Sequence, residues 1–346
     1  LKLKTLIIRT DKVGDIYFTL PYINSIRKVY AKENLDLLIA ENIYDHFAEK
    51  NYLYNNIYAF PKKGIIKKIL LIIKLRSNNY KQILVFDGKD RSLIFTYLLK
   101  ASKKIFFYKK KKIHSLLKIF FLNKKKHIFV EDNKKETLND LFAKMLSHLQ
   151  FSNKIIDFKF INFYNLSSIN FPDNLRERFK KYTVFHLDER WFSKYYIKKF
   201  YDINLTTNDF ITFINTFFEI HKHNLIITTG FIKLPFISLL KDNIFTYIQS
   251  NFYEYNYNNC KAILIENSTL NELEIIIMNS KNMITCHTGL SLLAGGFNVN
   301  LIDIIDKKDD SEFNYQRLTS HIKRYSKIYR KEFNELSKDI LLKIEQ

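Results

Sequence analysis

The segment Leu6–Pro21, LIIRTDKVGDIYFTLP, constrains this chain more than any other. A short run of apolar residues, Leu6-Ile7-Ile8, reads as a buried strand. It breaks at Arg9-Thr10-Asp11-Lys12, passes Gly14 as a turn glycine, and enters a helical segment expected to open at Asp15. A strand, a loop and a helix in immediate succession make the first unit of an open α/β sheet. Ligands of such sheets bind just outside the carboxyl ends of the strands. Asp15 therefore stands where chemistry is usually done, although its carboxylate would also serve as a helix cap.

The pattern continues downstream. Strands are expected at 4–9, 35–40, 57–60, 82–86 and 105–107, with helices at 15–30, 65–75, 92–101 and 137–150. Pro21 falls near the early turns of the first helix, where a missing N–H costs least. The stretch 157–172 is rich in Asn, Ser and Phe, lacks a period, and reads as a linker. Alternation then restarts, with strands at 183–187, 225–229, 245–248, 262–265, 283–286 and 301–305. Helices are expected at 209–221, 235–240, 270–279, 290–296 and 331–344. Strands that alternate with helices predict doubly wound parallel sheets, and 346 residues suit two domains. No GxGxxG motif is present, and Cys260 and Cys286 are the sole cysteines. That count points to a reducing compartment and no disulfide framework. No apolar run is long enough to span a bilayer, and the first eight residues do not read as a signal peptide.

Two motifs resemble glycosyltransferase family 9, the heptosyltransferases. RTDKVGDIYFTLP is similar to that family's N-terminal signature, and NMITCHTGLSLLAGG, residues 282–296, to its donor-site segment. The resemblance implies a GT-B fold of two Rossmann-like domains facing a cleft. These are an acceptor-binding domain over 1–165, a nucleotide-sugar-binding domain over 172–325, and a C-terminal helix over 326–346. It implies an inverting, metal-independent transferase without a cofactor. A nucleotide-diphosphate sugar would be the donor and a lipopolysaccharide-core or related glycolipid the acceptor. Asp15 would be the general base, with Arg9, Thr10, Lys12 and Gly14 on the acceptor side. A sugar hydroxyl is a poor nucleophile until a base takes its proton.

Thr288 and Gly289 would hold the donor diphosphate at a helix N-terminus, flanked by His287, Gly230, and Arg190 or Lys194 as the neutralising cation. Three departures stand out. His287 replaces the family's usual Asp, Leu292 replaces a frequent His, and Phe231-Ile232-Lys233 follows Gly230 where an acid is expected. They motivate an alternative, a degenerate member that binds a glycan or a partner without catalysis. The plain alternative at 287–289 is a strand-to-helix turn. Asp87-Gly88, closing a strand in the first half, is placed to face the acceptor, but the plainer reading is a turn.

Charge is concentrated. The net charge is +21, and residues 50–130 carry 21 Lys and Arg against two acids, Asp87 and Asp90. Apolar residues interleave these lysines, which favours an anionic membrane or glycolipid slightly over a merely solvated lysine-rich face, and both over nucleic acid. The protein is expected to be cytoplasmic, peripheral on the inner face of the membrane. Nucleic-acid binding, which rests on charge alone, is the weaker alternative.

Overall fold

A computed structural model of the chain describes residues 4–48, 53–109, 127–133, 135–149 and 181–345. The predicted linker over 157–172, the domain boundaries at 165 and 172, and the lysine-rich stretch 110–126 lie outside the described residues. The chain divides into two compact units. The first is residues 1–161 with Gln316–His321, the second residues 162–315 with 322–346.

In the first unit the apolar runs become six strands: β1 (Thr5–Arg9), β2 (Leu35–Ala40), β3 (Asn56–Phe60), β4 (Gln82–Val85), β5 (Lys103–Lys109) and β6 (His127–Asp132). They pair in the order β3-β2-β1-β4-β5-β6, and every pairing is parallel. The order reverses at β1 and β4, which places a topological switch point at their carboxyl ends. The inner strands β2, β1, β4 and β5 are buried nearly throughout, as expected where helices cover both faces, while the edge strands β3 and β6 are only partly buried.

The helices are α1 (Val13–Arg27), α2 (Tyr44–Ala48), α3 (Ile65–Ser77), α4 (Asp90–Leu98) and α5 (Leu138–Ser147). Leu75 of α3 and Leu93 and Phe95 of α4 pack with Leu6, Ile8, Ile83 and Val85 on one sheet face. Elsewhere in the unit Phe142 of α5 packs against Phe18, Tyr22, Phe86 and Phe107. Helix α5 opens on a capping box, Thr137 accepting from the Asp140 amide at 3.1 Å.

The second unit holds β7 (Tyr182–Leu187), β8 (Asn224–Thr229), β9 (Thr246–Gln249), β10 (Phe252–Tyr257), β11 (Cys260–Ile265), β12 (Asn282–Cys286), β13 (Asn300–Ile305) and β14 (Tyr325–Tyr329). Their order is β14-β13-β12-β7-β8-β11-β10-β9. The first six in this order are parallel, and the switch point lies at β7 and β12. Around them run α6 (Thr207–His221), α7 (Pro235–Asn243), α8 (Leu270–Met278), α9 (Gly289–Gly296) and α10 (Lys307–Phe313). After α11 (Gln316–Thr319), which belongs to the first unit, α12 (Phe333–Lys343) closes the chain.

Four expectations need correcting. The second sheet is not wholly parallel, because β10 runs antiparallel to both β11 and β9. A two-residue turn at Asn258-Asn259, with Asn258 left-handed, joins β10 to β11 and leaves no room for a crossover. The tail over 326–346 is not one helix: Tyr325–Tyr329 pairs with β13 before α12 begins. Gln316–His321 departs from its neighbours in sequence. Arg317 pairs with Asp132 at 2.6 Å, and the His321 ring packs edge-on to Phe18. Finally, α1 opens at Val13 rather than Asp15, which puts Pro21 mid-helix, where it removes the amide that would bond the Tyr17 carbonyl.

Candidate active site

In the first unit, the carboxyl end of β1 delivers Arg9 into the interior. Its guanidinium donates to the Phe86 carbonyl after β4 and to Asp15 Oδ1 at 3.0 Å, and it lies over the Phe142 ring. Lys12 is the N-cap of α1, and its amide donates to Asp15 Oδ2 at 3.2 Å. Asp15 is thus the third helical residue, reaching back in a capping arrangement. Its side chain is still 42% exposed, so a fixed carboxylate remains open to solvent. Gly14 is buried in the first turn of the helix, not in a turn before it.

Thr10 does not reach outward. Its amide and hydroxyl both donate to Asp87 Oδ2, at 3.0 and 2.8 Å, and Ser92 donates to the same oxygen at 2.6 Å. The Lys89 amide completes the set on Asp87 Oδ1 at 3.2 Å. Asp87, read from sequence as a turn residue, is therefore the tie between the β1 and β4 loops. Gly88 beside it has φ +57°, and a Cβ there would meet the Phe107 ring at 3.1 Å.

Sequence reasoning missed three charged residues here. Arg91 donates to Thr10 at its carbonyl and, at 3.2 Å, its hydroxyl. Asp11 pairs with Lys89 and lies 3.6 Å from Arg9 Nε. Burial raises the Asp11 carboxyl above its ordinary range, against the pull of Arg9 and with help from Asp87 and Asp15. Asp11 stands inside the motif and could have been singled out; Lys89 and Arg91 arrive only through the parallel pairing of β1 with β4.

In the second unit, Asp188 follows β7 and caps the short turn Glu189–Trp191, accepting from the Arg190 amide at 3.0 Å. The Arg190 guanidinium returns to Asp188 Oδ2 at 3.0 Å and lies over the Tyr196 ring. This cation is already paired. Lys194 is exposed and lies over the ring of Tyr195, outside this cluster. Gly230, at the end of β8, comes against Asp188, yet a Cβ there would make only ordinary contact at 3.5 Å. The Phe231 side chain that follows is exposed.

Across the switch point, β12 delivers His287 and α9 begins at Gly289. His287 Nδ1 bonds Asp303 Oδ2 at 2.6 Å, and its ring lies 4.0 Å from that of Tyr315. Ser291 donates to the other Asp303 oxygen at 2.9 Å, and Tyr325 adds a bond at 3.2 Å. Asp303 itself is fully buried. The Thr288 hydroxyl accepts from the Leu290 amide at 3.0 Å, and the Thr288 amide donates to Ser291 Oγ at 3.1 Å. Gly289, first in the helix, has no intrahelical acceptor for its N–H. An anion at this end would meet that amide, the helix dipole and the His287 ring. Leu292 is core.

A further cation went unnoticed in the sequence. Arg330, buried after β14, donates to the carbonyls of Tyr201, at 2.7 Å, and of Arg190, and reaches Cys286 Sγ at 3.5 Å. It fastens the Arg190 loop to the end of β12. The site residues thus form two groups, Arg9 to Asp15 in the first unit and Arg190, Gly230 and His287 to Gly289 in the second, with Lys194 outside both.

No known protein-family profile matches the chain, and no curated protein matches it in sequence. Solved structures do match it in fold. A glycosyltransferase family 9 protein from Veillonella parvula superposes with TM-score 0.69 at 12% identity, covering 99% of this chain and 96% of that one. The E. coli heptosyltransferase WaaC with ADP gives 0.63 at 13% identity, covering 98% and 99%. E. coli ADP-heptose LPS heptosyltransferase II gives 0.63 at 11%, covering 99% and 97%. The chain has two α/β domains of the GT-B type, one on a parallel and one on a mainly parallel sheet, along nearly its whole length.

Proposed function

We propose that this chain is an inverting glycosyltransferase of the heptosyltransferase kind. It moves a sugar, with heptose the first candidate, from a nucleotide-diphosphate donor to a lipopolysaccharide-core or related surface glycolipid. The observation that carries the reading is Asp15: a carboxylate at a switch point, gripped by Arg9 and the Lys12 amide yet open to solvent. As base it takes the acceptor hydroxyl's proton while that oxygen bonds to the anomeric carbon. The bond from that carbon to the phosphate oxygen breaks, and the nucleoside diphosphate leaves with its electron pair. Gly289 and His287 are the groups assigned to the diphosphate. Arg190 acts from within its Asp188 pair, and no metal step or cofactor is assigned. The acceptor lipid places the protein at the cytoplasmic face of the inner membrane.

The test begins with melting temperature across ADP-, GDP-, UDP- and CMP-sugars, ADP-heptose first because WaaC has been solved with ADP. With the hit in hand, Asp15→Asn is expected to leave donor binding intact and cut transfer at least about a hundredfold. Unchanged transfer sinks the mechanism.

A second reading is favoured by the committed state of the donor-side groups. Arg190 is paired with Asp188, the Thr288 hydroxyl is consumed by its own helix, and His287 stands where an acid is expected. On that reading the chain binds a glycan or a partner without catalysis, and no nucleotide at millimolar concentration raises its melting temperature.

A further inference from the structure

Helix α3 carries apolar residues on the side away from its core. Leu71, Ile72 and Leu75 pack on the sheet with Leu6, Ile83 and Val85. Ile65, Ile69 and Ile73 recur at i, i+4 and i+8, with Ile66 and Leu70 beside them, and form a second stripe. Ile65 and Ile66 are 77% and 74% exposed, and Ile69, Leu70 and Ile73 are 50%, 59% and 60% exposed. On α4, in the same layer over the sheet, Ile94, Tyr97 and Leu98 are each nearly half exposed. Soluble surfaces seldom leave so many large aliphatic side chains together in water.

The charge around the stripe is mostly positive, although the Glu41 carboxylate accepts from the Lys62 amide at 3.0 Å just before the helix. No Asp or Glu occurs between Glu49 and Asp87, while Lys62, Lys63, Lys67 and Arg76 stand at the ends and edge of the helix, all exposed. None of these four forms an ion pair with another described residue. Lysines flanking an exposed aliphatic stripe complement a surface that is anionic at its headgroups and apolar beneath. Nucleic acid would match the cations but leave the isoleucines in water.

We propose that α3, with the exposed edge of α4, docks the protein on an anionic phospholipid bilayer, lying parallel to the surface with the Ile65–Ile73 stripe at the acyl boundary. The inference deepens the proposed function and rests on it for the membrane acceptor. Its test contains neither sugar nor nucleotide, so docking and transfer can fail separately.

The full chain is sedimented with vesicles of phosphatidylglycerol and phosphatidylcholine, and with phosphatidylcholine alone. Binding is expected with the anionic mixture only. Ile66→Glu/Ile69→Glu/Ile73→Glu is expected to lower the partition coefficient at least about tenfold, and Lys62→Glu/Lys63→Glu/Lys67→Glu by a similar factor. Melting temperature verifies folding, and Ile66→Glu alone serves if the triple variant does not fold. Three results overturn the proposal: no binding to anionic vesicles, binding that the isoleucine variants leave unchanged, or a wild-type dimer in light scattering that those variants dissolve. The last would make a second copy of the chain the occupant.

Discussion

His287 shows how a side chain is fitted to its surroundings. A carboxylate at this position would face Asp303, which is fully buried and holds the ring nitrogen at 2.6 Å. Two carboxylates that close repel, and neither is well solvated. The imidazole removes the conflict and leaves Asp303 fully satisfied by His287, Ser291 and Tyr325. His287→Asp is therefore expected to cost about 3 kcal/mol of unfolding free energy. The double variant His287→Asp/Asp303→Asn should recover most of that loss. Urea denaturation of the three proteins measures it, and an equal loss in single and double variants would show that like charge is not the cause.

At the scale of elements, the β1 and β4 loops are joined through one side chain. Asp87 accepts from the Thr10 amide, the Thr10 hydroxyl, the Ser92 hydroxyl and the Lys89 amide. Asp87→Ala strands these donors and should cost about 2–4 kcal/mol, read from the urea midpoint, with Asp87→Ser recovering part of it. This tie marks where the sequence stops being legible. Strand and helix positions are readable because apolar period is a local property. The strand 35–40 and helix ends near 278 and 296 sit within a residue of expectation. Arg9, Lys12, Gly14 and Asp15 gather around one helix start because they are neighbours in the chain. Asp87, Lys89 and Arg91 join them through a parallel pairing some eighty residues apart, and no local pattern announces that. Three strands, β6, β10 and β14, were missed for a different reason, and in β6 only Val130 is buried. Tyr253, Tyr255 and Tyr257 do alternate in β10, as the residues of β14 do, but their inward faces are partly covered edges rather than aliphatic core. Arg330 depends on β14 and was lost with it.

Across the whole molecule, each unit buries a histidine that resists protonation. Burial holds His186 in the second unit and His321 in the first down to about 4, Arg190 contributing at His186. The unfolded chain takes up these protons near pH 6.5 and the folded chain only near 4. Stability from each is present above 6.5 and is lost as pH falls between those values. For His186 the loss reaches about 2 kcal/mol at pH 5. Asp11 and Asp188, raised by burial, act in the opposite sense. The informative quantity is therefore the difference between wild type and His186→Gln in urea unfolding from pH 7 to 5. The variant should lose less, and parallel curves would refute the assignment.

The return of Gln316–His321 to the first unit has a consequence for biosynthesis. The residues that complete the first unit, Arg317 on Asp132 and His321 on Phe18, follow strands β7 to β13 of the second unit in sequence. On the ribosome that unit cannot acquire its full set of contacts until those seven strands of the other unit have also been made. A nascent chain halted just past the first sheet would hold Asp132 before Arg317 exists and Phe18 before His321 exists, so the unit that begins first is not completed first.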